Sequence, residues 1–175
     1  LVALFFHGTV GSFFTAPHHE LCHRTVFKTK WLNEGFLRIF SLLGWNNFEI
    51  YQFSHNYHHR FTLHAEGDRE EVMPAIPSIR MLYLLQLLTL NIFGGYQSKG
   101  ILPTLQNFLL IAANRFDNPF NSWGEELYSG YDELRRRASV WARITLLFHA
   151  VVISGSIAVG QPILAVLISG SPFIA

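Results

Sequence analysis

The chain has 175 residues, 50% of them hydrophobic and 14% charged, with a mean hydropathy of +0.23 and a formal charge of +1. That is too apolar for an ordinary soluble domain, and the near-neutral balance argues against an acidic partner, nucleic acid included. The single Cys22 excludes an internal disulfide framework and any multi-cysteine zinc or iron–sulfur site within the chain.

Every charged residue lies between Glu20 and Arg143, so residues 1–19 and 144–175 flank a polar middle without one Asp, Glu, Lys or Arg. This reads as membrane, water, membrane. The expected fold class is all-α: an integral membrane helical protein with transmembrane helices and a cytosolic helical cap. Leu1 is not an initiator Met, and neither a basic n-region nor a small-residue cleavage site frames the first apolar run, so a signal peptide is not expected. The chain reads as an internal piece of a longer polypeptide.

Residues 1–16 are the first predicted element, an apolar stretch slightly short of the roughly 20 residues that cross a bilayer, as for a span clipped at its start. Pro17 opens a more polar segment, and Arg24, Lys28 and Lys30 mark the cytoplasmic side. Over residues 31–51, Leu32, Phe36, Ile39, Phe40 and Leu43 recur at near-helical spacing while Glu34 and Arg38 interrupt, which predicts an amphipathic helix lying at the interface. A loop over 66–71 is closed by Pro74 and Pro77. Residues 79–93, apolar but holding Arg80, Gln86 and Asn91, read as an interfacial or re-entrant segment. Residues 102–113 form a second short amphipathic piece, and 114–131 a loop rich in Asn, Ser and Gly. Arg135, Arg136, Arg137 and Arg143 then precede the uncharged run 144–160, again the mark of a span entered from the cytoplasm. Residues 163–175 are apolar to the last and read as a final span cut in its middle. The expected organisation is a truncated span over 1–16, a cytosolic or interfacial region over 17–137, and a truncated transmembrane hairpin over 138–175.

Six of the nine histidines fall in two short clusters. In His18-His19-Glu20-Leu21-Cys22-His23, His19 and His23 are one helical turn apart and form a bidentate clamp. In His55-Asn56-Tyr57-His58-His59, three imidazoles share a helical face. Imidazole suits iron, zinc, copper or nickel, and no thiolate set is present to favour a softer ion. The metal ligands expected are therefore His19, His23, His55, His58 and His59, with His18 a lesser candidate. His7, His64 and His149, each alone, read as packed or interfacial residues. His19-Glu20-x-x-His23 by itself is also the zincin pattern, with Glu20 as general base to a zinc-bound water, which keeps a membrane zinc peptidase open. That reading leaves His55, His58 and His59 without a task. A non-enzymatic membrane scaffold is the remaining alternative.

The two clusters, followed by Phe27 and Thr62 and set in the words HRTVFKTKWLN and HHRFTLHAEGDREEVMP, resemble the first two histidine boxes of membrane fatty acid desaturases, H-x3-H and H-x2-H-H. The resemblance runs along the whole chain through its order of span, box, interfacial helix, box and paired spans. It implies a di-iron centre of two iron ions on the cytoplasmic face, dioxygen as co-substrate, a fatty acyl lipid substrate and an O2-dependent desaturation. Related histidine-box enzymes hydroxylate or ketolate alkyl chains, carotenoids or sterols. The family's third box, H/Q-x2-H-H, has no counterpart here, so the chain alone is expected to hold an incomplete ligand set and to be inactive.

Glu20, Glu49, Glu66 and Asp68 are the carboxylates expected to accept hydrogen bonds from ligating imidazoles. Asn56 and Tyr57 are assigned packing or hydrogen-bonding roles. Trp31, Trp45, Trp123 and Trp141 are expected in the interfacial aromatic belt, and Phe36, Phe40, Phe48 and Phe53 in core packing ahead of an acyl channel. No Gly-rich dinucleotide fingerprint is present, so electrons are expected from a separate carrier of ferredoxin or cytochrome type. The basic patches could dock that carrier, but topology explains them without it.

Overall fold

The apolar start of the chain is two helices instead of one. The computed structural model describes residues 2–62, 64, 92, 100–117 and 124–174. Helix α1 (Val2–Ser12) is separated from α2 (Thr15–Cys22) by a tight turn in which Phe13 N donates to Val10 O (3.2 Å) and Phe14 N to Gly11 O (3.1 Å). Pro17 does not end a helix but sits in the first turn of α2, where its missing N–H has no intrahelical partner to lose. The first histidine cluster is thereby a direct continuation of the apolar segment.

The single helix predicted over 31–51 is likewise broken. Helix α3 (Lys30–Leu43) buries Asn33, Leu37 and Ser41, spaced i, i+4, i+8, and α4 (Phe48–Phe61) begins afresh after an elbow at 44–47. Trp45 takes the left-handed conformation (φ 53°) that turns the chain. Asn47 caps α4 by accepting from Ile50 N (3.4 Å), while its Nδ2 donates to Ala138 O (2.9 Å). Hydrophobic spacing alone carried across this elbow because Leu43 and Phe48 are apolar on both sides of it.

Helix α5 (Ile101–Ala112) matches the predicted amphipathic piece, and the loop predicted over 114–131 contains a short helix, α6 (Gly124–Tyr128). Helix α7 (Asp132–Ala158) follows, then α8 (Ile163–Ser169) and a 3₁₀ turn over Ser171–Phe173. The final segment over 163–175 is thus not one continuous helix: Pro172 cannot supply a further i→i−4 donor, and the chain tightens after Gly170. No β-strand occurs among the described residues, so the fold is all-helical. The segment predicted over 79–93 lies, apart from Ile92, outside the described residues, as do the loop over 66–71, Pro74, Pro77 and Trp123.

Helix α7 organises the molecule, packing on α4, α5, α6 and α8. Its 27 residues extend about 40 Å at 1.5 Å per residue. It is the one described helix long and apolar enough to cross a membrane. Beyond Leu134 its inward face is small or polar: Ala138, Ala142, Thr145, His149 and Ser156 are buried, whereas Ile144, Leu147, Val151 and Ile157 point outward. One core joins Phe108, Ile111, Phe116, Tyr128, Leu134, Ala138 and Ala142; a second joins Leu21, Leu37 and Phe48.

Two tryptophans expected in a belt are instead interior rivets. Trp45 Nε1 donates to Ser169 O (2.9 Å) and Trp141 Nε1 to Asn46 O (2.9 Å), while Trp31 is exposed. Phe48 packs edge-on against Trp141 (4.8 Å between ring centres) and Phe53 against Tyr128 and Tyr131, as the packing reading expects. Phe36 and Phe40 continue a ladder of rings from Phe27. At the other end of the chain, Gly8 and Gly11 lie so close to Ile174 and Ser171 that a Cβ on either would strike them, and His7 Nε2 donates to Leu167 O (2.7 Å).

Candidate metal centre

Two helices deliver the imidazoles. His19 lies inside α2 and His23 is its C-terminal cap, still in helical conformation (φ −76°, ψ −10°), so the i, i+4 stacking survives to the helix end. His55 and His59 repeat that spacing on α4. The helices meet with His55 at the centre: its Nε2 lies 3.1 Å from His23 Nε2 and 2.9 Å from His59 Nε2. The ring centre of His19 is 4.7 Å from that of His55. One donor nitrogen from each of His19, His23, His55 and His59 falls within 4.8 Å of all the others.

That geometry fits a metal. With nitrogen ligands at about 2.1 Å, neighbouring donors stand about 3.0 Å apart at right angles and about 3.4 Å apart at the tetrahedral angle. The two short Nε2–Nε2 distances match the first value. Neutral imidazoles cannot all satisfy one another at this spacing, because a single hydrogen on His55 Nε2 cannot serve two neighbours, whereas a cation takes every lone pair at once.

The remaining expected residues separate. His58 lies on α4 with its ring centre 5.7 Å from those of His55 and His59, outside the group of four. His18, 2% exposed, packs its ring 4.5 Å from Tyr51 and is also outside the group. Tyr57 packs between Phe53 and Phe61. His149, buried deep in α7, is a packed residue: its Nε2 donates to Leu42 O (3.0 Å), so its Nδ1 accepts from the Ser169 hydroxyl (2.8 Å). His64 is exposed just beyond α4.

Of the carboxylates, Glu20 is placed as expected, its Oε1 2.9 Å from His19 Nδ1. An imidazole that donates from Nδ1 carries its lone pair on Nε2, ready to ligate. Glu49 is not: it pairs with Arg137 (3.4 Å) at the start of α4, and desolvation there raises its pKa above the ordinary carboxylate value despite Arg137 and Arg38. Glu66 and Asp68 lie outside the described residues. Burial, then the proximity of His55, His19 and His59, lowers the pKa of His23, which favours the neutral, metal-binding form.

A cavity of about 290 Å3 opens beside the cluster, lined by Cys22, His23, Arg24, Gln52, His55 and Asn56. Gln52 escaped the sequence reading; its position one turn before His55 is the signal that could have found it. Most arginines of the basic patches are engaged within the chain. Arg24 and Arg38 share Glu34, Arg135 pairs with Glu125 (2.6 Å), Arg136 with Glu133 (2.7 Å), and Arg143 Nε donates to Ala112 O (2.9 Å).

This pair of His clusters is set in a chain whose residues 1–174 match the family model described as fatty acid desaturase. The chain belongs to the fatty acid desaturase family. No curated protein and no solved structure matches it. Membership makes the chain one of an oxidoreductase family and supplies a reason for four imidazoles to converge where the zincin pattern needs only two.

Proposed function

We propose that the chain forms part of a membrane di-iron oxidoreductase that desaturates fatty acyl chains. The observation that carries this reading is the convergence of His19, His23, His55 and His59 from two helices with nitrogens about 3 Å apart. His19, His23, His55 and His59 would hold one iron, and His58, one turn from His55 on the same helix, is a ligand for the second. Iron would supply the oxidant that an unactivated methylene demands, since such a carbon offers no proton to a side-chain base. The protein's own share is position: Glu20 fixes the His19 tautomer, and α2 and α4 hold the donors in register. Electrons would come from a separate ferredoxin or cytochrome-type carrier.

The inverted pattern of α7, apolar outside and small or polar inside, supports a lipid-facing helix, because a soluble protein's core helix turns its apolar face inward. On this reading both His clusters lie on the cytoplasmic side with the basic residues that flank the span.

The peptidase reading needs Glu20 as a general base, yet that carboxylate is occupied by His19, and the second imidazole from α4 makes a fourth ligand, which leaves no position for the zinc-bound water. The deciding experiment is elemental analysis of the anaerobically purified protein, paired with acyl product analysis in membranes supplied with a reduced carrier. About two irons per chain of the complete enzyme and a new double bond support the reading. A hydroxylated product would redirect the reaction, and a single zinc would overturn the di-iron assignment.

A further inference from the structure

Between His23 and α3 the backbone over 24–29 has no regular structure, and the first residue after the metal ligand, Arg24, is held in the left-handed region (φ 59°). Such a segment must find partners for its peptide groups outside a helix ladder. One side chain provides four of them. Asn33, 1% exposed on the inward face of α3, accepts from Phe27 N through Oδ1 (3.0 Å). Its Nδ2 faces Phe27 O (2.7 Å), Arg24 O (3.3 Å) and Thr29 O (3.4 Å).

Asparagine suits this place for a chemical reason. It carries a donor group and an acceptor on a stem short enough to stay within the turn, so it can close a ring with the N–H and C=O of a single residue, Phe27, while reaching the carbonyl of Arg24, the residue after His23. Aspartate has the same shape but no donor, and would set a negative charge against three carbonyl oxygens. The side chain is anchored in turn, because it shares the buried stripe of α3 with Leu37, which packs against Leu21 of α2. The path from Asn33 to His23 therefore runs through one backbone residue and is braced on both sides.

We propose that Asn33 is a positioning residue for the metal ligand His23: it clamps the turn that follows α2 and so fixes where His23 meets His55 and His59. This inference rests on the reading of the four-histidine cluster as a metal site. The test is a cobalt(II) titration of the full chain purified in detergent, followed by the visible d–d bands, with far-UV circular dichroism recording helix content. Asn33→Asp should keep its helices, lose about 10- to 100-fold in cobalt affinity, as for other groups that orient ligands, and show altered bands. On a His23→Ala background, Asn33→Asp should cost nothing further, because the ligand through which it acts is gone. Undiminished affinity with an unchanged spectrum in Asn33→Asp would overturn the proposal, as would a loss that adds in full to that of His23→Ala. Should Asn33→Asp fail to fold, Asn33→Ser, which introduces no charge, is expected to show the same losses, and unchanged binding by it would count equally against the proposal. If the unsubstituted chain binds no cobalt, or if His55→Ala leaves its binding intact, the metal reading fails and takes the proposal with it.

Discussion

The indole of Trp45 lies flat against the imidazole of His149, with ring centres 3.9 Å apart and planes 8° from parallel. The pair joins the elbow before α4 to the middle of α7, and His149 extends the join by bonding Leu42 O at the end of α3 and Ser169 at the end of α8. His149→Phe would keep the stacking and remove both hydrogen bonds, leaving the buried Ser169 hydroxyl without this partner, while the part-buried Leu42 O still accepts from Trp45 N (3.4 Å). Leaving one buried hydroxyl unsatisfied costs about 1–3 kcal/mol, so thermal unfolding in detergent should report a loss of about that size.

Glu20 and His19 form a second coupled pair. Glu20→Gln keeps an acceptor but removes the charge that makes His19 a stronger ligand, and metal affinity should fall about 10-fold, the lower end of such effects. A competition titration with a chelator checks this. A peptidase would respond the opposite way, with metal binding nearly intact and hydrolysis abolished.

His55 and His58 should behave differently although they share a helix. His55 touches both His23 and His59 through Nε2, whereas His58 stands outside the four. His55→Ala should abolish metal binding by the chain, while His58→Ala leaves one ion bound; in the complete enzyme both should abolish desaturation. Elemental analysis alongside product analysis separates the two outcomes.

Glu49 gives a pH dependence of defined sign. Its folded pKa is raised above the ordinary value of 4.5, chiefly by desolvation. The folded state therefore binds the proton more tightly than the unfolded state does, and the contribution to stability is fully present below about pH 4.5 and is lost as pH rises through the raised value. Glu49→Gln, which imitates the protonated form, should not lower stability at pH 7. Denaturation curves of the two proteins should differ least in acid, whereas a variant much weaker at pH 7 would show that the Arg137 pair outweighs the burial.

Much of the site was legible because its spacing is local: one helical turn separates His19 from His23 and His55 from His59, and period alone puts each pair on one face. The family followed from the same residues. What was not legible depends on distant partners. Glu49 looked like a neighbour of the second box until Arg137, far along the chain, claimed it, and Trp45 looked like a membrane anchor until Ser169 supplied its acceptor. The break at 13–14 was hidden because the turn residues themselves, Phe13 and Phe14, are apolar, and that at 44–47 because Leu43 and Phe48 flank it; hydropathy does not register a turn. His58 has the right type and spacing for a ligand, but its angular offset from His55 and His59 decides which way it points.

The contact of Gly8 and Gly11 with Ser171 and Ile174 brings together segments more than 150 residues apart in sequence. A ribosome delivers α1 long before its counterpart exists, so the glycine face must wait until the 3₁₀ turn emerges. Assembly of α1 against that turn must therefore follow synthesis of residues 171–174, even though α2, directly continuous with α1, carries His19 and ends at His23. Gly11→Val should thus leave early helix formation intact and show its defect only after synthesis passes residue 171, as protease sensitivity in nascent chains of increasing length would reveal.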